Sequence, residues 1–293
     1  MTDTCFFDMD GTLIDTEKYY NVCWVRALSD FGYEMSREEA LHLRSFGRPH
    51  VLAFFDARYG PGFPYHEVRA RRRELMEEMI RDEGIALKRG AEELLEWLKE
   101  RRVRCMIATA TDVERTENYL VQTGIRPYFD RLISATMVKE GKPSPDIYEL
   151  ACREADREPG ECFAVEDSPN GVESAASAGC RVLFVPDLSG PDERMLALSE
   201  GVFDDLTAVR DYLAEKLPLK LLVSFPTTTD AMKLRMLADR IGLPGRLVPV
   251  PGDIKAGCGL GWCAPLEARE DVLRAMKQNG IRTDGERELV WEL

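Results

Sequence analysis

The chain lacks the residue spacings that zinc sites require. Its three histidines stand far apart, no Cys-x-x-Cys pair occurs and the eight cysteines are scattered. Neither a zinc site nor a disulfide framework is expected. Cys5, Cys105 and Cys162 fall inside apolar runs that read as buried strands, where a thiol behaves as a small hydrophobe. No apolar run is long enough to cross a bilayer, and Met1-Thr2-Asp3-Thr4 carries no basic stretch leading into an apolar core, so a cytoplasmic location without membrane contact is expected. Positive charge is short as well. A formal charge of −13 repels nucleic acid and anionic membranes, so a phosphate-bearing partner must be a small molecule met in a local pocket. Internal repeats and low-complexity tracts are also missing.

What remains is an ordinary globular composition, 44% hydrophobic and 31% charged, on a chain of 293 residues, long enough for two or three domains. Thr4-Cys5-Phe6-Phe7 reads as a buried strand that ends at Asp8 and a Gly-Thr turn. From Thr16 to Gly84 the pattern is helical only: 19–31, a start at Ser36 with Glu39 completing a capping box, 51–59 and 65–81. Strand and helix patterns then alternate, with strands at 103–108, 131–135, 162–166 and 181–185 and helices at 91–100, 112–123, 145–155 and 170–178. That alternation implies a Rossmann-like, doubly wound parallel sheet of the α/β class, with the helical segment inserted as a cap. After Leu217-Pro218-Leu219 the order changes to strand 220–225, helix 228–240, strands 246–250 and 257–263, helix 266–279 and strand 287–292. This β-α-β-β-α-β order is the ferredoxin-like α+β plan. The expected domains are a core of 1–15 and 87–216, a cap of 16–86 and a C-terminal domain of 219–293. The arginine run 69–73 is expected to be a solvated, ion-paired helix face.

Four segments carry chemistry. Asp8 and Asp10 stand two residues apart at a strand end, where the Gly11 turn lets both address one point; such a pair can hold a hard cation while one attacks and the other moves protons. Thr109-Ala110-Thr111 offers hydroxyls and backbone N–H groups at a strand-to-helix turn, suited to phosphate oxygens. In Gly141-Lys142-Pro143-Ser144-Pro145-Asp146 a lysine sits on a stiff backbone, able to neutralise a phosphoryl group or to serve as a surface charge. Strand 162–165 then delivers Glu166-Asp167-Ser168, a second acidic pair of the kind that completes a magnesium site.

In this order, Asp-x-Asp-Gly-Thr, the strand-end Thr109, Gly-Lys-Pro-x-Pro-Asp and Glu-Asp-Ser-x-x-Gly-Val resemble the four motifs of haloacid dehalogenase-like hydrolases, over residues 1 to about 216. The inserted cap is similar to that of the phosphoglycolate phosphatase and β-phosphoglucomutase branch. The resemblance implies a magnesium-dependent phosphatase acting on a small phosphorylated metabolite. Asp8 would attack phosphorus and become an aspartyl phosphate, and Asp10 would first protonate the leaving oxygen and then activate water. Mg2+ would be held by Asp8, the Asp10 backbone carbonyl and Asp167, with Glu166 as a ligand or outer partner, while Thr109, Ala110 and Lys142 would grip the transferring group. Mutases of this branch carry a histidine where this chain has Tyr20, so hydrolysis is favoured over a β-phosphoglucomutase-like phosphomutase activity.

In the cap, Arg48 matches an arginine of the mutases and is a candidate substrate contact; its alternative is a helix-start arginine paired with a surface acid. Tyr19, Trp24 and Phe54 fall at helical spacing and are expected in the cap core, and Asp15 is expected to cap the first cap helix. Residues 219–293 are similar instead to small selenium- or sulfur-carrier-like domains, through Val223-Ser224-Phe225-Pro226, 246–251 and Gly257-Cys258-Gly259-Leu260. Cys258 is either an accessible thiol, made more acidic by Arg246 or Lys255, or a half-buried cysteine in a Gly-rich strand entry. A second function therefore stands beside the first: a carrier or accessory protein acting through Cys258. The C-terminal domain could also dock within the chain or on a protein partner.

Overall fold

The computed structural model describes residues 4–43, 48–187, 190–250, 252, 254 and 256–290, with the side chains of 41–42 and 48–50 outside that description. The chain divides into two compact units, one of Thr4–Leu98 with Arg104–Asp211 and one built around the C-terminal residues from Tyr212.

The first unit holds six parallel strands: β1 (Thr4–Phe7), β2 (Arg104–Thr109), β3 (Arg131–Ser134), β4 (Cys162–Glu166), β5 (Arg181–Phe184) and β6 (Gly201–Val202). Their order is β3-β2-β1-β4-β5-β6. The chain winds outward in one direction from β1 and in the other from β4, so the switch point lies between these two strands. Ligand crevices of open α/β sheets form at that place, beyond the carboxyl ends. Both faces are covered, which is why the strands read as unbroken apolar runs. Phe6, Met106, Ala108 and Ala164 pack with Ile147, Tyr148 and Ala151 of α7 (Asp146–Ala155) and Val172 and Ala175 of α8 (Pro169–Ser177), while Phe7 meets the edge of Phe129. Helices α5 (Ala91–Glu100) and α6 (Val113–Gln122) are strongly amphipathic, with Leu94, Leu95, Leu98 and Leu120 fully buried. The sequence pattern gave no warning of β6, α9 (Glu193–Leu198) or the longer α10 (Leu206–Lys216). Strand β6 has two residues, too few to show a period.

Between β1 and α5 the described residues form four helices: α1 (Glu17–Asp30), α2 (Arg37–His42), α3 (Arg48–Tyr59) and α4 (Tyr65–Glu83). The capping box at the start of α2 is formed, Glu39 N–H donating to Ser36 and Ser36 N–H to the Glu39 carboxylate. Tyr19, Trp24 and Phe55 are buried, and Phe55 stacks on Phe63 with ring centroids 4.6 Å apart. Burial of each such side chain contributes roughly 1.5–3 kcal/mol. Phe54 lies half-buried at the edge of this cluster, against Phe55. The arginine run departs from expectation at one position. Arg71 pairs with Asp30 and Glu74 as a solvated residue would, but Arg72 is buried, its guanidinium 4.4 Å from the centroid of the Tyr20 ring and 5.3 Å from that of Trp24. The helical period turns Arg72 inward while its neighbours face water.

The second unit carries β7 (Leu219–Ser224), α11 (Thr228–Ile241), β8 (Arg246–Pro249), β9 (Leu260–Pro265), α12 (Arg269–Gln278) and β10 (Gly285–Val290). The strands pair antiparallel in the order β10-β7-β9-β8, as a ferredoxin-like fold requires. One face packs Leu221, Val223 and Trp262 against Leu234, Val272 and Met276 of the two helices. Helix α11 is held at its start by Thr227, whose hydroxyl accepts the Asp230 N–H and donates to the Asp230 carboxylate. Arg282 also donates to that carboxylate, at 3.0 Å.

Candidate active site

Strand β1 releases Asp8 at the switch point, where the Asp8 N–H still donates to Val165 of β4. The chain then turns at Gly11, whose φ of +86° is open to glycine and strained for other residues. A Cβ at Gly11 would also collide with the Asp167 carboxylate. Glycine is therefore needed twice at this turn, for its backbone and for the space it leaves.

Asp10 is oriented by two hydroxyls. Thr16 donates to Oδ1 and Thr111 to Oδ2, each at 2.7 Å. These bonds revise two expectations. The N-cap residue of α1 is Thr16, without a side-chain capping bond, because its hydroxyl is committed to Asp10; Asp15 pairs with Lys18 at 3.3 Å. The Thr111 hydroxyl is likewise engaged with Asp10, and its N–H donates to Thr109 Oγ1. Thr109 is buried at the end of β2, and Ala110 is exposed just beyond it.

Lys142 enters from the loop before α7. Its ammonium donates to Asp8 Oδ1 at 2.5 Å, Glu166 Oε1 at 2.6 Å and the Ala108 carbonyl at 2.8 Å, which employs all three of its protons. The Lys142 side chain is 7% exposed. Burial opposes its charge, but the neighbouring Asp8 and Glu166 carboxylates outweigh it and hold the ammonium above its ordinary value. Burial also pushes the Asp8 carboxyl up to about 8; Lys142 opposes that rise, while Glu166 and Asp10 add to it. The pocket thus gathers Asp8, Glu166 and Asp167 around a single described lysine.

Glu166 and Asp167, delivered by β4, are almost wholly buried. One carboxylate oxygen from each of Asp8, Glu166 and Asp167 lies within 4.8 Å of the others. Thr12 donates to Asp167 Oδ1 at 3.4 Å. Glu166 Oε1 accepts from Lys142 and, at 2.5 Å, from the hydroxyl of Tyr148, while Oε2 is buried without a hydrogen-bond partner among the described residues. Ser168 caps α8 by accepting the Gly171 N–H, and a Cβ on Gly171 would run into the Glu166 carboxylate. This accounts physically for Glu-Asp-Ser-x-x-Gly: two acids for the site, a serine to start the helix and a glycine to leave room for the first acid. A hard divalent cation fits this set, because the donors are oxygens, one of them a buried carboxylate oxygen without a hydrogen-bond partner among the described residues, and two glycines make room for the Asp167 and Glu166 carboxylates.

The chain belongs to the haloacid dehalogenase-like hydrolases. The model of that family matches residues 2–179, and the model of Se/S carrier protein-like domains matches residues 220–286. The validoxylamine A 7'-phosphate phosphatase of Streptomyces hygroscopicus is 33% identical over 217 residues, 72% of this chain and 97% of that protein. A phosphorylated carbohydrates phosphatase of Thermotoga maritima is 30% identical over 191 residues, 62% of this chain and 84% of that protein. The crystal structure of CbbY from Rhodobacter sphaeroides in complex with phosphate superposes with a TM-score of 0.62 at 29% identity, covering 71% of this chain and 96% of that one. With such relatives the chain is a hydrolase of phosphate monoesters, and the acidic cluster at the switch point is its metal-competent centre.

This hydrolase has functional neighbours that spacing did not reveal. Tyr148 reaches Glu166 from another segment and Thr16 reaches Asp10 across the Gly11 turn, while burial, with Arg115 and Arg69 adding to it and Tyr20 opposing, holds the Arg72 guanidinium below its ordinary value. The side chain of Arg48, expected to contact substrate, lies outside the described residues, as does Lys255. Cys258 is half-buried, its thiol 3.9 Å from the Leu260 carbonyl. Arg246 stands opposite Cys263 in the antiparallel register of β8 and β9, and it works against burial, which pushes the Cys263 thiol up to about 11. Its electrostatic influence falls on Cys263, where strand pairing and not loop proximity has placed it.

Proposed function

We propose that the chain hydrolyses a small phosphorylated metabolite by passing its phosphoryl group through the Asp8 carboxylate, in an Mg2+-dependent reaction. The observation that carries this reading is the Lys142 ammonium bound at once to Asp8 and Glu166. It opposes the rise that burial imposes on the Asp8 carboxyl and meets the charge of the incoming phosphoryl group. An Asp8 oxygen forms a bond to phosphorus as the ester oxygen leaves, and Asp10, carrying a proton, gives it to that oxygen. Asp10 then takes a proton from water, which attacks phosphorus and releases Asp8 and inorganic phosphate. Thr111 and Thr16 aim Asp10 for both transfers. Thr109 and the backbone at Ala110 bind phosphoryl oxygens. Asp8, Asp167, Glu166 and the Asp10 carbonyl would hold the Mg2+, which when bound neutralises phosphate charge.

The four helices of residues 16–86 act as the cap that excludes water and selects the leaving group. Arg73 of α4 pairs with Asp112 at the start of α6, 2.8 Å away, which ties the cap to the core beside the second motif. With Arg69 and Arg72 of the cap and Arg115 of the core close by, this side favours a leaving group that carries an anionic or hydroxyl-rich portion. Arg48 is assigned to the same recognition. Tyr20, under the Arg72 guanidinium, stands where the mutases have histidine, and hydrolysis follows in place of phosphoryl return. The carrier reading survives through the C-terminal family match; a protein without phosphatase turnover and with a persulfide-reactive Cys258 would favour it. The test is turnover of p-nitrophenyl phosphate before and after EDTA treatment. Loss with EDTA and recovery with Mg2+ are expected, whereas EDTA-resistant turnover would contradict the metal requirement.

A further inference from the structure

Tyr148 is fully buried on α7, six residues after Lys142, and its hydroxyl and the Lys142 ammonium reach the same oxygen of Glu166. The ring lies below the ammonium, with Nζ 5.4 Å from its centroid, and packs against Phe6. Glu166 therefore has one oxygen saturated by two donors and the other without a hydrogen-bond partner among the described residues. A carboxylate so deeply buried turns about its last bond unless something fixes it. Here Tyr148 and Lys142 fix Oε1, and Gly171 leaves the space into which Oε2 projects.

We infer that Tyr148 is a positioning residue for the cation site: its hydroxyl locks the Glu166 carboxylate so that Oε2 is presented to the divalent ion and Lys142 stays shared between Glu166 and the nucleophile Asp8. This rests on the reading of Asp8, Glu166 and Asp167 as the Mg2+ site. Without the hydroxyl, Lys142 is the one donor left to Glu166 among the described residues, and the carboxylate can swing to meet the ammonium with both oxygens. The ion then loses a well-aimed ligand or outer partner, while Thr109 and the backbone at Ala110 remain in place. Partners of this kind influence metal affinity about tenfold or more.

The experiment is calorimetric titration of the intact protein with MgCl2, for the wild type, Tyr148→Phe, Glu166→Gln and the double variant, beside Tyr19→Phe. Tyr19 is also buried and donates its hydroxyl to the Gly84 carbonyl, so it controls for loss of a buried tyrosine bond. Tyr148→Phe is expected to weaken Mg2+ binding about tenfold. Tyr19→Phe should bind as the wild type does, and in the Glu166→Gln background Tyr148→Phe should add nothing. Unchanged affinity in Tyr148→Phe, or equal losses in both backgrounds, would overturn the inference by making Tyr148 a packing residue only. A wild type that binds no Mg2+ would overturn the cation reading and the inference together. Should the Phe variant fail to fold, 3-fluorotyrosine at position 148 gives a fluorine NMR signal; a shift on MgCl2 addition supports the coupling and a static signal refutes it.

Discussion

The two units of this chain use the same means to opposite ends. In the hydrolase core, four segments far apart in sequence deliver polar side chains to one end of the sheet, and partners from other segments hold them. Lys142 spans Asp8 and Glu166, Thr111 holds Asp10, Tyr148 holds Glu166 and Thr12 reaches Asp167. The C-terminal domain is equally regular, with a satisfied helix cap at Thr227 and a buried apolar face. Yet its one distinctive group, the Cys258 thiol, packs against the apolar cluster and makes one long hydrogen bond, to the Leu260 carbonyl, among the contacts described. A site differs from a well-made fold in this respect: polar groups are buried together at a cost that only function explains.

That contrast can be broken most forcefully in the core. Replacing Gly171 by alanine puts a methyl group into the Glu166 carboxylate, so the variant should lose about 1–3 kcal/mol of stability to overpacking and roughly 10-fold or more of its Mg2+ affinity. Thermal melting and MgCl2 titration check both, and an unaffected Mg2+ affinity would show that Glu166 lies outside the cation's reach. A milder effect is expected in the C-terminal domain from Asp230→Asn. The Thr227 hydroxyl, with Arg282 assisting against the cost of burial, holds the Asp230 carboxyl below its usual 3.8. Because the folded value is depressed, the stabilisation is complete above pH 3.8 and disappears as pH falls through the lowered value. The wild type should melt above the variant at neutral pH, the gap should close in acid, and turnover of p-nitrophenyl phosphate should match in both. A gap that persists at low pH would assign the effect to something other than the carboxylate's charge. The smallest effect is expected from Cys258→Ser, which should leave simple phosphatase turnover intact; a large loss of kcat would couple the two units and dissolve the contrast.

Much of the core was legible in the sequence because its chemistry sits at strand ends. Apolar runs that stop at Asp8, Thr109 and Glu166 announce both the strand and the edge to which it delivers polar groups. The β-α-β-β-α-β order after residue 219 was equally plain, since strand and helix periods alternate cleanly there. The pairing that turns the motifs into a site was not legible. Tyr148 lies at a core-facing position of an amphipathic helix and looks like any buried aromatic until Glu166, eighteen residues on, is found at its hydroxyl. Arg72 was hidden by neighbours of its own type, and a helical count that placed it with Tyr20 and Trp24 would have found it. Gly171 stood out as the glycine of Glu-Asp-Ser-x-x-Gly-Val, but the reason for a glycine there was hidden, because its role depends on a carboxylate that comes from the preceding strand.

The central claim is that Asp8 carries the phosphoryl group, and the most direct measurement is acid quenching during p-nitrophenyl phosphate turnover with Mg2+, followed by mass spectrometry of the peptides. A phosphoryl group on Asp8 of the wild type is predicted, with none on Asp8→Asn, a variant that should fold but not turn over. Undiminished turnover by Asp8→Asn, or a phosphoryl group found on another residue, would contradict the account.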